Sequence, residues 1–498
     1  MLEFETSTGN LYAWDDEVGL FIPFSPAMRS VLDVLSNHDS VTKEKVMCLL
    51  KENIEREEIS FCYDWIRKWN KIKTQIQKTK NIQTFTESDI RYSVLKFGLL
   101  RLTLCITEDC NFMCKYCAYS DFYKYTRRPS DKYMKFSIAK KAIDYYFSLL
   151  DEGKRYNPLR RPAIGFYGGE PLLNFKLIKD LVDYIENEYK DHKTIYTITT
   201  NGSLLDKEKA NWLMKFKFII DVSLDGPEEE HDRLRVYTNG NGTFRDVMKN
   251  VSSIMIEGYQ EIGCLPVFDW RSNLFKREEF FNRQDVPRVQ GAFPVDDVEG
   301  CSYYQQFTEE EFLAFMEQFE RARNFYFMNL DHHRHRKKTT LFDDLIGQAP
   351  RRALFRSISI YPHHPLMPFT GACIPGRKIF VDVNGFYHLC EKVNSDFPIG
   401  NVNEGLNFKK IYKLIVNYNS CMDKCPECGV ARRCNFCYKS FATDKDFLHS
   451  STVCKEVESN MKRSFIEAFE IAEKFPEFID DSNIKYNNIR KYYNSYGE

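Results

Sequence analysis

Three cysteines, Cys110, Cys114 and Cys117, stand in the spacing C-x3-C-x2-C directly after an apolar, β-branched run. Three thiolates on one short loop can hold a metal centre and leave one coordination position open. Chemistry needs such an open position. The spacing alone leaves two readings. A zinc site usually pairs two C-x2-C arms to reach four ligands. Here no fourth Cys or His lies nearby, and Cys105 falls inside the expected strand as a core residue. An iron–sulfur cluster is the second reading.

A further set of cysteines lies near the C-terminus. Cys373 precedes Pro375-Gly376, an apolar strand over residues 379–383, the hairpin turn Asn384-Gly385 and then Cys390. Cys425, Cys428, Cys434 and Cys437 follow in the spacing C-x2-C-x5-C-x2-C, with Cys454 beyond them and Cys421 just before. A zinc ribbon is the plain alternative to clusters here. Cys48, Cys62 and Cys264 read as buried core residues. Glu391, next to Cys390, reads either as an acid or base or as a solvated hairpin residue.

Composition bounds the rest. The chain has 498 residues, 43% of them hydrophobic, which suffices for two to four domains with real cores. A net charge of −1 gives no bulk electrostatic case for nucleic acid or membrane binding. No long apolar run and no export signal appear, so a cytoplasmic protein is expected. Sixteen cysteines in a reducing compartment point to metal or cluster ligation rather than disulfides.

The elements that must position these residues begin with a small module over residues 1–85. Residues 11–14 and 18–23 read as strands joined at Asp15-Asp16-Glu17. Ser25-Pro26 opens a helix with Met28, Leu32 and Leu35 on one face. A second helix follows Ser40, with Val46, Leu49 and Leu50 apolar. A third covers about 59–72, with Phe61, Trp65 and Ile66 inward. A small sheet plus three helices suggests a winged helix, with a polar linker over 79–89.

Strands then alternate with amphipathic helices. Strand candidates are 100–107, 163–167, 194–200, 218–224 and 262–268. Ser137, Asn174, Asp206 and Thr243 begin the intervening helices, and Gly258 stops the last. This alternation argues for a parallel α/β architecture, an open sheet or a barrel. Strand ends carry the motifs Gly168-Gly169-Glu170-Pro171, Thr200-Asn201-Gly202 and Ser223-Leu224-Asp225-Gly226-Pro227. In an α/β barrel, catalytic residues come from the C-terminal ends of successive strands. Glycine there lets a ligand approach the backbone, although ordinary βα turns use the same residues. Thr308 and Glu311 form a capping box for a helix through Phe327. The basic run from Asp331 to Lys338 reads as a solvated loop.

With these motifs in register, residues 100–270 resemble the radical S-adenosylmethionine (SAM) superfamily. The resemblance implies a partial (β/α)6 TIM barrel spanning 86–365. It implies that Cys110, Cys114 and Cys117 ligate a [4Fe–4S] cluster whose fourth iron is left to SAM. Tyr116 would pack near the adenine. Gly168, Gly169 and Glu170 would engage the SAM amino group. Ser223 would reach SAM, and Arg235 would pair with its carboxylate, with Thr200 and Asn201 as neighbours. A carboxylate suits the ammonium and a guanidinium suits the carboxylate.

The C-terminal cysteines resemble a SPASM iron–sulfur domain, expected over 366–460. That resemblance implies Cys373, Cys390 and Cys437 on a first auxiliary cluster, with Cys421 or Cys301 as a conceivable fourth ligand. Cys425, Cys428, Cys434 and Cys454 would hold a second. The usual spacing before the fourth cysteine of the central motif is x3, whereas here it is x2, closer to thioether-forming ranthipeptide and sactipeptide maturases. In sulfatase-activating relatives an aspartate stands where this chain has Glu391. The N-terminal module resembles the winged-helix precursor-peptide recognition element, which binds a leader by strand addition. Residues 461–498 are expected to be a C-terminal helix and tail.

The expectation is a radical SAM maturase that installs cysteine thioether crosslinks in a ribosomal precursor peptide with a leader. An electron donor such as flavodoxin or ferredoxin would serve it, and no nucleic acid or membrane partner is expected. Alternatives are carbon–carbon crosslinking, epimerisation, a sulfatase-maturase-like oxidation, or a winged-helix metal-sensing regulator.

Overall fold

A computed structural model describes residues 1–38, 41–78, 85–334, 336, 338–355, 366, 373–422, 424–434, 438–449 and 451–476. Ser40, His335, Cys437 and part of the expected linker lie outside the described residues.

The N-terminal unit is a three-stranded antiparallel sheet, β1 (Leu2–Glu5), β2 (Leu11–Asp15) and β3 (Leu20–Phe24), with three helices, α1 (Pro26–Asn37), α2 (Lys43–Leu50) and α3 (Arg56–Lys78). Ser25 caps α1 by accepting from the Met28 N–H at 3.1 Å, with Pro26 in the first turn, where a missing N–H costs nothing. Thr42 caps α2. Side chains alternate across a sheet. One face sends Ala13, Ile22 and Phe24 against Val31, Val46, Ile59, Cys62 and Ile66.

This packing corrects the expected helix faces. Ile59, Cys62 and Ile66 form the inward stripe of α3, which turns Phe61 outward at 64% exposure. On α2, Leu49 and Cys48 are exposed. The other face of the sheet is also buried. Phe4, Trp14 and Phe21 meet Phe465 and Phe469 of the long helix Ser451–Lys474. Glu473 on that helix accepts from Thr8, Asn10 and Tyr12, and Arg433 lies 4.6 Å over the Trp14 ring. The module is thereby clamped to the C-terminal part of the chain.

The expected linker ends early. Thr86 and Asp89 form a capping box that opens α4 (Glu87–Phe97). Beyond it run β4 (Arg101–Thr107), β5 (Ala163–Gly168), β6 (Ile195–Thr200), β7 (Ile219–Val222) and β8 (Ile262–Cys264). The helices between them include α5 (Phe136–Gly153), α6 (Phe175–Glu188), α7 (Lys207–Lys215), α8 (Glu228–Leu234) and α9 (Phe244–Ile256). Ser137 lies in the first turn of α5 rather than capping it, and Lys135 holds the cap position.

Pro266 splits the expected fifth strand, because proline cannot donate to a ladder. After it, β9 (Val267–Phe268) leaves the main sheet to pair with β11 (Phe293–Pro294). The sixth parallel strand is β10 (Arg288–Val289), beside β8. Helices alternating with the strands of one parallel sheet are consistent with a partial barrel.

The sheet does not stop at β4. β12 (Lys378–Val381) pairs parallel to β4, with Phe380 opposite Thr103. β13 (Phe386–His388), β14 (Gly400–Asn401) and β15 (Gly405–Leu406) then continue it antiparallel. Ile379, Phe380, Val381, Tyr387, Ile411 and Ile415 join the same hydrophobic core as β4–β8. The later cysteine region is thus welded to the parallel sheet. The Asp331–Lys338 run is not all solvated: His333, on the helix Leu330–Arg334, is buried against Tyr326.

Candidate active site

Cys110, Cys114 and Cys117 lie on the loop that leaves the C-terminal end of β4. Backbone bonds hold the loop against the end of α8 and the segment after it: Lys115 N–H donates to Leu234 at 2.8 Å and Met113 N–H to Val236 at 2.8 Å. Its other flank touches the end of β5. Gly169 N–H donates to Thr107 and Glu170 N–H to Asp109, both at 2.8 Å. A Cβ on Gly168 would meet the Thr107 carbonyl oxygen at 2.2 Å, and one on Gly169 the Asp109 carbonyl oxygen at 2.0 Å. Gly168 also has φ +153°, which side chains rarely adopt. Gly168 admits the end of β4, and Gly169 admits the start of the cysteine loop.

Glu170 is fully buried. Its carboxylate accepts from Leu172 N–H at 3.0 Å, Thr200 Oγ1 at 2.7 Å and Asn201 N–H at 2.7 Å. Burial pushes its pKa up to about 7 despite those bonds, so a cation beside it would favour the ionised form. Asn201 Nδ2 donates to Asn111 Oδ1 at 2.8 Å, and Asn111 Nδ2 donates to Ser203 Oγ at 2.9 Å. The end of β6 therefore grips the residue that follows Cys110. Ser223 sits half-buried just past β7, its N–H bonded to the Thr200 carbonyl.

The opposite flank carries charge. Arg235 donates from Nε to Asp225 Oδ2 at 2.8 Å and from Nη2 to Asp225 Oδ1 at 3.1 Å. Its Nη1 lies 4.0 Å from Cys114 Sγ. Tyr116 donates to Asp225 at 3.0 Å, and the guanidinium stands 5.2 Å over the Tyr116 ring. Burial opposes the charge on both Arg235 and Asp225, but each holds the other ionised. Asp225 also accepts from Val267 N–H at 2.9 Å. His231 sits behind this pair: Nδ1 accepts from Asp225 N–H, and Nε2 meets Thr243 Oγ1 at 3.0 Å. Thr243 Oγ1 donates onward to the Arg235 carbonyl, which assigns the His231 proton to Nε2. Burial holds His231 neutral, with a pKa of about 3.

The donor set fits a cluster. Burial pushes the Cys110 and Cys114 thiols up to about 12 and raises Cys117 as well. Neutral thiols in such a place become thiolates only when a strong cationic centre replaces the proton. Among the described residues no three His, Cys, Asp or Glu side chains converge tightly enough for a single metal ion. A four-iron cluster makes a different demand, since each cysteine takes its own iron.

The remaining expected residues lie later in the chain, from Cys301 to Cys454. Glu391 is half-buried after β13; burial raises its pKa, but Arg101, Lys378 and Lys392 outweigh that and lower it. Its charge is felt at Tyr167, which also senses Cys117 and is pushed up to about 12 by burial. Lys392 and Lys439 both reach Asp296, which ties the Cys390 segment to the region after β11. Cys301 donates to the Asp296 carbonyl at 3.4 Å, in the same region. Cys373 is exposed, and Cys390, Cys425, Cys428, Cys434 and Cys454 are half-buried. Cys454 lies within electrostatic reach of Cys428 and 3.1 Å from His449 Nε2. Cys421 donates to the Phe447 carbonyl at 2.9 Å.

Sequence reasoning assigned no role to Asp225, Asn111, Ser203 and His231. Asp225 stood inside a motif already singled out, and Asn111 directly followed a cysteine. Their pairing is tertiary, so only the fold shows it.

Comparison with known proteins places this geometry. Residues 104–265 match the Radical SAM superfamily. A cysteine-type anaerobic sulfatase-maturating enzyme of Clostridium novyi is 25% identical over 189 residues, covering 37% of this chain and 48% of the relative. The chain spans about half the length of the curated relatives it matches first. Among solved structures, AdoMet-bound anSMEcpe aligns at TM-score 0.56 and 18% identity, covering 78% of this chain and 98% of that one. SuiB of Streptococcus suis bound to precursor peptide SuiA aligns at TM-score 0.50 and 15% identity, covering 91% and 100%.

Proposed function

We propose that this chain, whose residues 104–265 match the Radical SAM superfamily, holds a [4Fe–4S] cluster and SAM and matures a ribosomally made peptide by thioether crosslinking. The observation that carries the reading is the cysteine loop pinned between two prepared flanks. Glu170, Thr200 and Asn201 form one flank, and Tyr116, Asp225 and Arg235 the other.

In this reading Cys110, Cys114 and Cys117 hold the SAM cluster. Cys373, Cys390 and Cys437, with Cys421 or Cys301 as a further ligand, hold a first auxiliary cluster, and Cys425, Cys428, Cys434 and Cys454 a second. With SAM and a donated electron, the SAM cluster would supply a 5′-deoxyadenosyl radical able to take a hydrogen atom from a peptide carbon, and the auxiliary clusters would take up the electron released when a cysteine sulfur bonds to that carbon. Glu170 meets the SAM ammonium. Arg235, held by Asp225, offers Nη1 toward the SAM carboxylate, and Tyr116 and Ser223 line the nucleoside. The barrel wall excludes water from the radical. Glu391, kept ionised by Arg101 and Lys378, accepts the proton that leaves the substrate thiol.

The partner is a precursor peptide. SuiB, of similar fold across nearly the whole chain, has been seen with its precursor peptide bound. The N-terminal unit over 1–85 is a winged-helix recognition domain for the leader, the barrel occupies 86–365, the SPASM domain 366–460, and the helix and tail 461–498. Flavodoxin or ferredoxin supplies electrons in the cytoplasm. Among the described residues no helix is long and apolar enough to cross a membrane.

The similarity to sulfatase-maturating enzymes supports a second reading, oxidation of a sulfatase cysteine or serine. The clamped N-terminal unit and Glu391 favour the first. The test is anaerobic reconstitution with SAM, a reductant and a cysteine-rich precursor peptide, read by mass. Loss of a hydrogen pair per crosslink supports thioether formation, and unchanged peptide mass refutes it.

A further inference from the structure

Arg127 follows the cysteine loop and is only 8% exposed. Its guanidinium lies 4.8 Å over the ring of Phe380 on β12. Nε and Nη2 are both buried with no hydrogen-bond partner. A buried charged donor without an acceptor is among the costliest features a fold can keep. Burying it against an aromatic face recovers part of that cost and leaves the donors unmet.

The neighbours do not supply the missing acceptor. Asp382, within electrostatic reach, is fully engaged: Oδ1 accepts from Asn384 and Phe386 N–H at 2.9 Å each, and Oδ2 meets His388 Nε2 at 2.9 Å. Tyr119 and Cys105 also feel Arg127, and neither accepts from its Nε or Nη2. The guanidinium therefore stands between the segment that leaves Cys117 and the β12–β13 hairpin that leads to Cys390 and Glu391.

The two orphaned nitrogens share one edge of the guanidinium. That edge takes a carboxylate through two parallel N–H···O bonds. The same chain shows the filled version: Arg235 uses Nε and Nη2 on the two oxygens of Asp225. Arg127 presents the same edge without its carboxylate. The Asp382 carboxylate within electrostatic reach disfavours a more highly charged anion such as phosphate.

We propose that Arg127 is a subsite for a carboxylate of the substrate peptide, either an acidic side chain or the C-terminus, beside the reacting cysteine. The assignment rests on the peptide-maturase reading. SAM carries a carboxylate too, but its expected partners Glu170 and Arg235 lie on the other flanks of the loop.

The test uses the full-length holoenzyme with SAM and a labelled cysteine-containing peptide in matched forms: Asp or Asn at one position, and a free or amidated C-terminus. Anisotropy on the wild-type protein should show one carboxylate form binding about tenfold tighter, the scale of a charge-assisted pair. Which form wins identifies the source. Arg127→Gln should erase the difference and Arg127→Lys keep part of it. If that variant does not fold, the wild-type comparison decides alone. Equal binding of all forms by the wild type, with the peptides still modified, overturns this assignment only. A preference that survives Arg127→Gln, or a loss of SAM affinity in that variant in its place, overturns it as well. Absence of any peptide binding together with unchanged peptide mass overturns it and the peptide reading with it.

Discussion

Replacing Asp225 by Asn probes the buried pair that steadies the cysteine loop. Asp225 is fully buried and accepts from both Arg235 nitrogens, Tyr116 and Val267. Asn keeps the shape but removes the charge and presents an amide donor to a cluster of donors. Arg235 then stays buried without its counter-ion. Breaking a buried pair from one side costs roughly 3–5 kcal/mol. At about 2–4 °C per kcal/mol for a unit of this size, the melting temperature should fall by roughly 6–20 °C. Thermal unfolding of the metal-free protein by circular dichroism measures this, and iron content after reconstitution should fall in parallel. The double variant Asp225→Asn with Arg235→Gln should regain much of the loss, because no lone charge remains. If Asp225→Asn melts with the wild type and loads iron equally, the pair does not organise the site and the reasoning fails.

Gly169→Ala should displace the cysteine loop, since the added Cβ would meet the Asp109 carbonyl oxygen at 2.0 Å. Overpacking of this kind costs about 1–3 kcal/mol or more, so reconstituted iron should drop while the secondary structure persists. Glu170, with its pKa raised to about 7 by burial, must be ionised to meet an ammonium, so SAM affinity should fall as pH drops below 7 and level off above it. Isothermal titration from pH 5 to 8 reads this, and Glu170→Gln should flatten the profile and weaken binding throughout. Phe465→Ala, at the back of the N-terminal sheet, should cost about 3–5 kcal/mol of packing there and expose the unit to limited proteolysis.

Much of the site was legible because its residues sit at strand ends, where spacing and turn chemistry mark them. Glu170 bonds Thr200 and Asn201, and Asn201 holds Asn111 beside Cys110. What the motifs could not show is which partners close the site. Arg235 was expected to pair with a ligand carboxylate, and Asp225, ten positions before it in the chain, takes two of its nitrogens. The glycines looked like ligand cradles, and their Cβ positions point at the end of β4 and the start of the cysteine loop. In the fold, the alternation of strands and helices was readable over residues 100–270. The joining of β12 to β4 was not, because a pairing between distant segments leaves no local signature. Phe61 was misplaced because helix 59–72 offers two plausible apolar stripes, and only packing against α1 and the sheet decides between them. The helix expected from residue 461 begins at Ser451, and its aromatic side chains cover a sheet face that sequence alone left unpartnered.

The most direct test of the central claim follows one hydrogen. A precursor peptide carrying deuterium on its crosslinked carbon is incubated anaerobically with the reconstituted full-length enzyme, SAM and reductant, and the 5′-deoxyadenosine is analysed by mass. The account predicts deuterium in the 5′-deoxyadenosine, in step with a peptide that loses a hydrogen pair and one free thiol. Unlabelled 5′-deoxyadenosine beside an unchanged peptide would contradict it.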